Sequence, residues 1–211
     1  MYARVAEFDN PRLSEPSLVD ELMKSARDSS PKWQEALPNA QGHLMLIDRE
    51  NGRSLGITFF ETEEQIEEAQ PVFERMGDEI PEETRGRRVG VSSYEVLTAE
   101  GGENAKAARL TIFEGDASRI DEVTKTSMEE ILPKAREMAG LKGIFSLADR
   151  ASGKVKVITL WDSPDSMQAS ESQGEKLRQA NIEAGAGKIA GVRRYEVLFA
   201  MAPSEVEAAR R

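Results

Sequence analysis

The stretch Tyr-Glu-Val-Leu at Tyr94–Leu97 occurs a second time at Tyr195–Leu198, displaced by 101 positions (from 94 to 195). The same displacement relates Gly42 to Gly143, and an Asp-Arg pair and an Ile-Thr pair in the first half to their copies in the second. Self-similarity at a fixed period is the sequence signature of a repeated structural unit. The chain is therefore predicted to contain one unit of roughly 100 residues written twice.

The two predicted repeats, residues 1–100 and 106–203, show the same order of local patterns. Each begins with a short apolar strand and continues with helical periodicity, a hairpin, a second helix and a last strand. Asn51-Gly52 marks the hairpin turn of the first repeat, and Ser152-Gly153 marks that of the second. The order β-α-β-β-α-β predicts an α+β, ferredoxin-like fold, with a four-stranded antiparallel sheet and two helices on one face.

The third strand of each repeat indicates how the two sheets are covered. Leu55–Phe60 and Val155–Trp161 are apolar at both odd and even positions, apart from one lysine. A sheet with one face in water would instead alternate apolar and polar residues. We therefore expect the two ferredoxin-like units to pack sheet to sheet as a single-chain pseudo-dimeric α/β barrel.

The second helices contain residues that disfavour a continuous helix. Pro71 interrupts the apolar periodicity of Glu63–Met76, and Gly174 lies near the equivalent place in the second repeat. Proline in a helix interior costs about 3 kcal/mol, and glycine costs about 1 kcal/mol relative to alanine. The sequence predicts a bend in both copies, either as a plain turn or, in the second repeat, as a flexible lip over a pocket.

Composition excludes several classes of function. The 211 residues carry a formal net charge of −10, with a pI near 4.9, which disfavours a nucleic-acid partner. Cysteine is absent and one histidine is present, so no metal-ligand set is recognisable. The start, Met1–Arg4, lacks the apolar region of a secretory signal, and no apolar run is long enough to span a membrane. A soluble, cytoplasmic protein is the expectation.

The segment Ile158–Ser163, which leads into a polar helix, resembles the third strand of the antibiotic biosynthesis monooxygenase (ABM) family. The two Tyr-Glu-Val endings and the glycine before each hairpin are similar to the same family, and the resemblance covers nearly the whole chain as two tandem domains. Its members form dimeric α/β barrels and include cofactor-independent oxygenases and haem-degrading enzymes. The haem-degrading branch uses a histidine on the second helix, which neither repeat has. The resemblance therefore implies no cofactor, with haem disfavoured but left open.

Five residues are candidates for binding a substrate: Trp161, Tyr195, Tyr94, His43 and Arg109. Trp161 stands where the family has an aromatic pocket residue, although it also suits a strand end in the core. Each tyrosine offers a phenol to a substrate oxygen or serves as a wall aromatic. His43 has the side chain best suited to act as a base near neutral pH, or it is structural. The sequence singles out no catalytic residue.

Arginine inside an apolar first strand is unusual, and it occurs in both repeats as Arg4 and Arg109. A buried guanidinium needs a carboxylate or an anionic ligand. Glu95 and Glu196, on the strands expected alongside, are the predicted ion-pair partners.

Two functions remain open at the level of sequence. The first is a cofactor-independent monooxygenase that acts on a small aromatic or polyketide-like substrate in a pocket between sheet and helices, larger in the second repeat than in the first. The alternative is a non-catalytic small-ligand-binding or interaction protein that keeps the barrel without an active site. The expected partner is a small hydrophobic or aromatic molecule, with no nucleic acid and no membrane. A homodimer of the pseudo-dimeric chain is also left open.

Overall fold

The computed structural model describes residues 1–203, except for the side chains of residues 25–33. The chain divides into two compact units. Unit 1 consists of Met1–Ser93 together with the chain from Tyr195 onward, and unit 2 consists of Tyr94–Arg194. Both divisions fall inside the last strand of a sequence repeat, so each unit includes the end of the other repeat's final strand. The repeat boundaries 1–100 and 106–203 therefore stay a prediction about the sequence.

Unit 1 carries the elements of the first repeat in the predicted order. They are β1 (Tyr2–Asp9), a 3-10 turn (Pro11–Ser14), α1 (Pro16–Ala36), β2 (Ala40–Asp48), β3 (Arg53–Phe60), α2 (Glu63–Glu79), α3 (Glu82–Arg85) and the first half of β4 (Arg87–Gly101). Thr62 caps α2, because its hydroxyl accepts a hydrogen bond from the backbone N–H of Gln65 at 3.4 Å. The Gln65 side chain accepts in return from the backbone N–H of Glu61.

Unit 2 repeats this order with a more broken set of helices. Its elements are the second half of β4, β5 (Ala107–Glu114), a 3-10 turn (Ala117–Arg119), α4 (Ile120–Thr126), a π-helical segment (Ser127–Ile131), α5 (Leu132–Arg136), β6 (Leu141–Asp149), β7 (Lys154–Trp161), α6 (Pro164–Ala169), α7 (Glu171–Asn181), a second π-helical segment (Ile182–Ala186) and the first half of β8 (Lys188–Met201). Ser163 caps α6 and Pro164 is its first residue, as the sequence predicts.

The sheets of the two units have the same order. In unit 1, β3 pairs with β1 and β2, and β2 pairs in turn with β8, with Leu46 opposite Val197. In unit 2, β7 pairs with β5 and β6, and β6 pairs with β4, with Leu147 opposite Val96. All of these pairings are antiparallel. The α+β class predicted from the sequence is confirmed.

Burial along β3 agrees with the expectation drawn from its composition. The consecutive residues Ile57–Phe60 are all buried, although successive side chains of a strand point to opposite faces. In unit 1, Phe60 packs with Ile66 and Ala69 of α2. In unit 2, Trp161 occupies the matching place at the end of β7 and packs with Met167.

The predicted bend at Pro71 does not take the form of a turn between two short helices. Helix α2 runs without interruption from Glu63 to Glu79, with Pro71 in its interior. Ile66 and Ala69 before the proline and Phe73 after it join the same apolar cluster, and their burial holds both halves of the helix in line. In unit 2 the helix does divide, but at Ser170, between α6 and α7, and not at Gly174, which lies inside α7.

Candidate functional site

A cavity lies in unit 2 between the sheet and the helices. Its volume is about 140 Å³, enough for several water molecules or a small organic group. Strands β5, β6 and β7 form its floor, and α4, α5, α7 and both π-helical segments form its walls. Most of the lining is apolar, for example Val123, Ile131, Leu132, Ile144, Val157 and Leu177.

Trp161 closes one end of this cavity. It is the last residue of β7, it is fully buried, and it packs against Ala107, Met138 and Met167. Its indole N–H donates to Thr159 Oγ1 at 3.0 Å, which satisfies the one polar atom of the ring. The residue that the sequence singles out first therefore lines the cavity with its hydrogen bond already made.

Arg109 lies beside Trp161 and is 3% exposed. Its guanidinium carbon is 5.5 Å from the centre of the Trp161 ring. Nη1 donates to Ser170 Oγ at 3.2 Å, and Nη2 donates to the Met167 carbonyl and to Glu171 Oε2 at 2.9 Å. Burial lowers the pKa of Arg109, the carboxylate of Glu171 opposes that shift, and the guanidinium remains charged at neutral pH.

The ion-pair partners predicted for the two buried arginines are wrong. Glu196 instead accepts from Arg49 at the end of β2, and Glu95 accepts from Arg150 at the end of β6. Sequence reasoning placed these glutamates beside the first strand of their own repeat. The structure pairs that part of β8 with β2, and that part of β4 with β6.

Glu171 is the centre of the charged cluster. In the described part of the chain it contacts three guanidinium groups, those of Arg109, Arg178 and Arg194. Burial alone would raise the pKa of Glu171, but the hydrogen bond from Arg178 and the nearby positive charges hold it below its usual value. Arg109 and Arg178 also line the cavity, whereas the half-exposed Arg194 is not among the lining residues.

Gly174 makes the approach of two of these side chains to α7 feasible. A Cβ atom at this position would lie 3.0 Å from Arg109 Nη1 and 3.3 Å from Arg178 Nη1. A side chain of any size would therefore press on both guanidinium groups. The glycine lowers helix propensity by about 1 kcal/mol, and the space it leaves accounts for its presence.

The other three predicted residues lie away from this cavity. Tyr195 is buried at the point where β8 enters unit 1, and Tyr94 is buried with Lys156 Nζ 4.8 Å above its ring. His43 is partly buried in unit 1, with Nδ1 3.0 Å from Thr58 Oγ1. Burial lowers its pKa to about 4, against a backbone hydrogen bond involving Ile57. Its imidazole is therefore neutral at pH 7 and a weak base.

The matching place in unit 1 is built differently. Arg4, the counterpart of Arg109, is 4% exposed and lies with its guanidinium carbon 4.0 Å from the centre of the Phe73 ring. Phe73 is 101 positions before Gly174, so it is the residue that stands at the glycine's place. Its ring meets Phe60 edge-on at 6.3 Å. Burial, followed by the charge of Arg88, lowers the pKa of Arg4 to about 10, against the charge of Glu74.

Sequence reasoning missed Ser170, Glu171, Gly174 and Arg178 as parts of the site. A signal for them existed. Ser170, Gly174 and Arg178 follow one another at four-residue spacing, which places them on one helix face. The repeat alignment also sets Gly174 against Phe73, a large difference in volume at a helix position that faces a buried arginine.

Comparison with known proteins shows which solved structures share this fold. No model of a known protein family matches the chain. It is 22% identical over 181 residues to an uncharacterised protein of Mycobacterium tuberculosis, covering 81% of this chain and 77% of that protein. A solved structure of a ferredoxin-fold protein related to antibiotic biosynthesis monooxygenases, from Listeria monocytogenes, has a TM-score of 0.50 at 11% identity and covers 92% of this chain and 93% of that chain. The chain has the fold of the antibiotic biosynthesis monooxygenases.

Two further solved structures with this fold superpose more closely. A monooxygenase candidate from Fusobacterium nucleatum has a TM-score of 0.65 at 15% identity, covering 95% of this chain and 94% of that chain. An anthrone oxidase-like protein has a TM-score of 0.61 at 12% identity, covering 97% and 94%. At such identities the likeness concerns the fold. The ABM-like resemblance predicted from Ile158–Ser163 is confirmed at that level.

None of the described helices combines the length and the hydropathy that a membrane crossing requires. No group of three or more histidine, cysteine, aspartate or glutamate side chains among the described residues is placed to hold a metal ion.

Proposed function

We propose that this protein is a monooxygenase that needs no cofactor and oxidises a small aromatic or polyketide-like substrate in the cavity of unit 2. The observation that carries the proposal is the end of that cavity, where the buried indole of Trp161 meets the guanidinium of Arg109. A flat aromatic wall orients a planar substrate, and a fixed cation stabilises negative charge on it. The fold shared with an anthrone oxidase-like protein supports the same choice.

The chemistry needs a substrate that supplies its own electrons. An electron-rich aromatic with an activated CH2 group loses one proton to solvent water, and the resulting carbanion reduces O2. The carbon first bonds to one oxygen atom of O2; its second C–H proton is then lost to water, which forms the C=O bond as the O–O bond breaks, and the outer oxygen leaves as hydroxide, which takes up a proton and becomes water. The net change is CH2 + O2 → C=O + H2O, so that the carbon loses four electrons and dioxygen accepts them. Arg109 and Arg178 stabilise the anion, which lowers the pKa of the bound substrate.

A haem group does not fit this cavity. The haem-degrading branch holds iron through a histidine on the second helix, and the histidine of this chain, His43, lies in unit 1 on β2. The cavity lining contains no histidine, cysteine or tyrosine among the described residues. Of the other predicted binding residues, Tyr94 and Tyr195 stay predictions, and they do not line the cavity.

The architecture and surroundings are part of the same proposal. Residues 1–100 and 106–203 are two copies of one ferredoxin-like unit packed sheet to sheet as a pseudo-dimeric α/β barrel in a soluble, cytoplasmic protein. The identical strand order of the two sheets and the unbroken burial of Ile57–Phe60 support this. Small-angle X-ray scattering from two separated bodies would contradict the packing. Light scattering at twice the chain mass would establish the homodimer.

The test of the activity is oxygen uptake with anthrone as the substrate. We expect one O2 consumed for each anthraquinone formed, without added haem or reductant. Trp161→Phe should lower kcat/KM at least tenfold, about 1.4 kcal/mol, because the indole wall is lost. Phe60→Leu alters the matching position in unit 1 and should leave kcat/KM within twofold. A requirement for haem, or unchanged uptake in Trp161→Phe, would overturn the proposal.

The alternative is a ligand-binding protein without catalysis. It is favoured by the titratable groups of the cavity, which offer no base suited to neutral pH. Asp116, the carboxylate in the described lining, has a pKa held below its usual value by hydrogen bonds from the Ser118 side chain and backbone. Saturable binding of an aromatic probe with oxygen uptake no faster than in buffer would select this alternative.

A further inference from the structure

We propose that the cavity of unit 2 recognises a negatively charged oxygen, a carboxylate or an enolate, on an otherwise apolar aromatic ligand, and that Arg109 and Arg178 together bind it. The inference rests on the proposed function in using the same cavity. It adds the charge of the ligand and the two side chains that select for it, and it does not depend on the reaction with O2.

The charges around this end of the cavity do not cancel. Arg109 and Arg178, the two cations of the described cavity lining, both contact one carboxylate, that of Glu171, so one positive charge is in excess at this end of the cavity. Both guanidinium groups face an apolar space, where a charge interacts more strongly than it does in water. An anionic ligand group relieves their mutual repulsion.

The remaining charged residue of the described lining lies at the other end. Asp116 follows the last residue of β5, whereas Arg109 is near the first. Glu114 is five steps along the strand from Arg109, roughly 16 Å at about 3.3 Å per residue. Asp116 is also bonded to Ser118, which turns its charge into the loop. The cavity therefore has a basic end that Asp116 does not neutralise.

The geometry around α7 brings the two cations to one place. A Cβ at Gly174 would be 3.0 Å from one Nη1 and 3.3 Å from the other, so both guanidinium groups converge on the same bare patch of helix. Gly174, Arg109 and Arg178 all line the cavity, so this patch of α7 is part of its wall.

Unit 1 shows what happens when the same place is filled by the chain itself. There the ring of Phe73 lies 4.0 Å from the guanidinium carbon of Arg4, a cation–π contact that covers the cation. Gln70 stands at the place of Glu171, and Gly77 at the place of Arg178. In unit 2 the ring at the place of Phe73 is missing, the Trp161 ring lies farther from the guanidinium carbon, at 5.5 Å, and a second arginine is present. A planar anionic ligand supplies to Arg109 both the ring face and the negative charge.

The test compares two probes of nearly the same shape, one charged and one neutral. Isothermal titration calorimetry of the intact protein with 2-naphthoate and with 2-naphthamide measures the preference for the anion. We expect 2-naphthoate to bind at least tenfold more tightly, with the preference falling as ionic strength rises. Arg178→Gln should weaken 2-naphthoate about tenfold and leave 2-naphthamide within twofold, whereas Arg178→Lys should retain most of the preference.

Arg194→Gln is the matched control. It removes another arginine from the same Glu171 carboxylate, but one outside the cavity lining, so the affinity for 2-naphthoate should stay within twofold. Thermal unfolding of each variant checks that it is folded. Equal affinity for the two probes, equal losses in Arg178→Gln and Arg194→Gln, or no binding of 2-naphthoate would overturn the proposal.

The outcomes separate this inference from the proposed activity. Selective 2-naphthoate binding without any oxygen uptake on anthrone leaves the anion site standing and removes the enzyme. Oxygen uptake on anthrone without a preference for 2-naphthoate over 2-naphthamide does the reverse.

Discussion

Arg4 in unit 1 and Arg109 in unit 2 occupy matching places in two sheets of the same strand order, yet their surroundings are opposite. Arg4 is covered by an aromatic ring of its own chain, that of Phe73. Arg109 reaches over Gly174 into a cavity, where it is held by Ser170 and Glu171. The two units keep the buried cation and differ in what lies against it.

This difference shows that the residue at one helix position determines whether the buried arginine is covered by an aromatic ring or faces a cavity. A phenylalanine there offers about 150–250 Å² of apolar surface and a ring face to the cation. A glycine offers none, and the neighbouring helix residues then supply a carboxylate and a second arginine. An arginine covered by its own chain and an arginine that lines a cavity can therefore occupy the same place in sheets of the same strand order.

The largest effect is expected from converting unit 2 into unit 1. Gly174→Phe places an aromatic ring on Arg109, as Phe73 does on Arg4, and should lower the affinity for 2-naphthoate at least 100-fold, about 2.7 kcal/mol. Gly174→Ala adds one methyl group and should lower it less than tenfold. Calorimetry measures both. If Gly174→Phe binds 2-naphthoate as the wild type does, the comparison of the two units fails.

The reverse change removes the cover from Arg4. Phe73→Ala should lower the free energy of unfolding by about 2–3 kcal/mol, somewhat less than for a fully buried phenylalanine, because Phe73 is partly exposed. Urea denaturation followed by circular dichroism measures the change. Glu68→Ala, at an exposed position of the same helix, should stay within about 0.5 kcal/mol. A loss below 0.5 kcal/mol in Phe73→Ala would show that the ring does not stabilise unit 1.

The units should also differ in their response to pH. His43 has Ile144 as its counterpart, and its pKa falls from 6.5 to about 4 on burial. Between these two pH values the unfolded chain binds more protons than the folded chain. The free energy of unfolding therefore decreases as pH falls through this window. From pH 7 to pH 5 the loss should be about 2 kcal/mol. His43→Ile should remove most of it, and equal slopes in urea titrations of the two proteins would contradict the assignment.

The smallest effect concerns helix α2. Pro71 lies in the helix interior and is exposed, so Pro71→Ala should raise the free energy of unfolding by about 1 kcal/mol, because the missing backbone donor is restored. The gain is held below the full cost of an interior proline because alanine increases the freedom of the unfolded chain. Thermal denaturation gives the sign. A lower melting temperature would mean that Pro71 fixes a bend on which α2 depends.

The fold could be predicted from the sequence because the signals that specify it are local and occur twice. Asn51-Gly52 and Ser152-Gly153 mark the turns, and both glycines have positive φ, 62° and 73°. Thr62 and Ser163 mark the helix starts through their capping hydrogen bonds. Each of these signals depends on a few neighbouring residues, so repetition made it recognisable.

Only part of the site could be predicted from the sequence. Trp161 and Arg109 stand out by residue type alone. The partner of Arg109 depends on how α7 packs on β5, and local sequence patterns do not predict that packing. Glu95 and Glu196 were wrong because the last strands change neighbours. The predicted turn at Pro71 is instead a continuous helix because burial on both sides outweighs the intrinsic cost of one proline.

The last strands carry a consequence for where the chain can be cut. β4 begins in unit 1 and ends in unit 2, and β8 begins in unit 2 and ends in unit 1. A fragment ending at Gly101 would lack the β8 segment that pairs with His43–Ile47, and would leave the edge of β2 bare and prone to aggregation. Residues 1–101 would therefore need a second strand, from the same chain or from another copy, to cover the edge of β2.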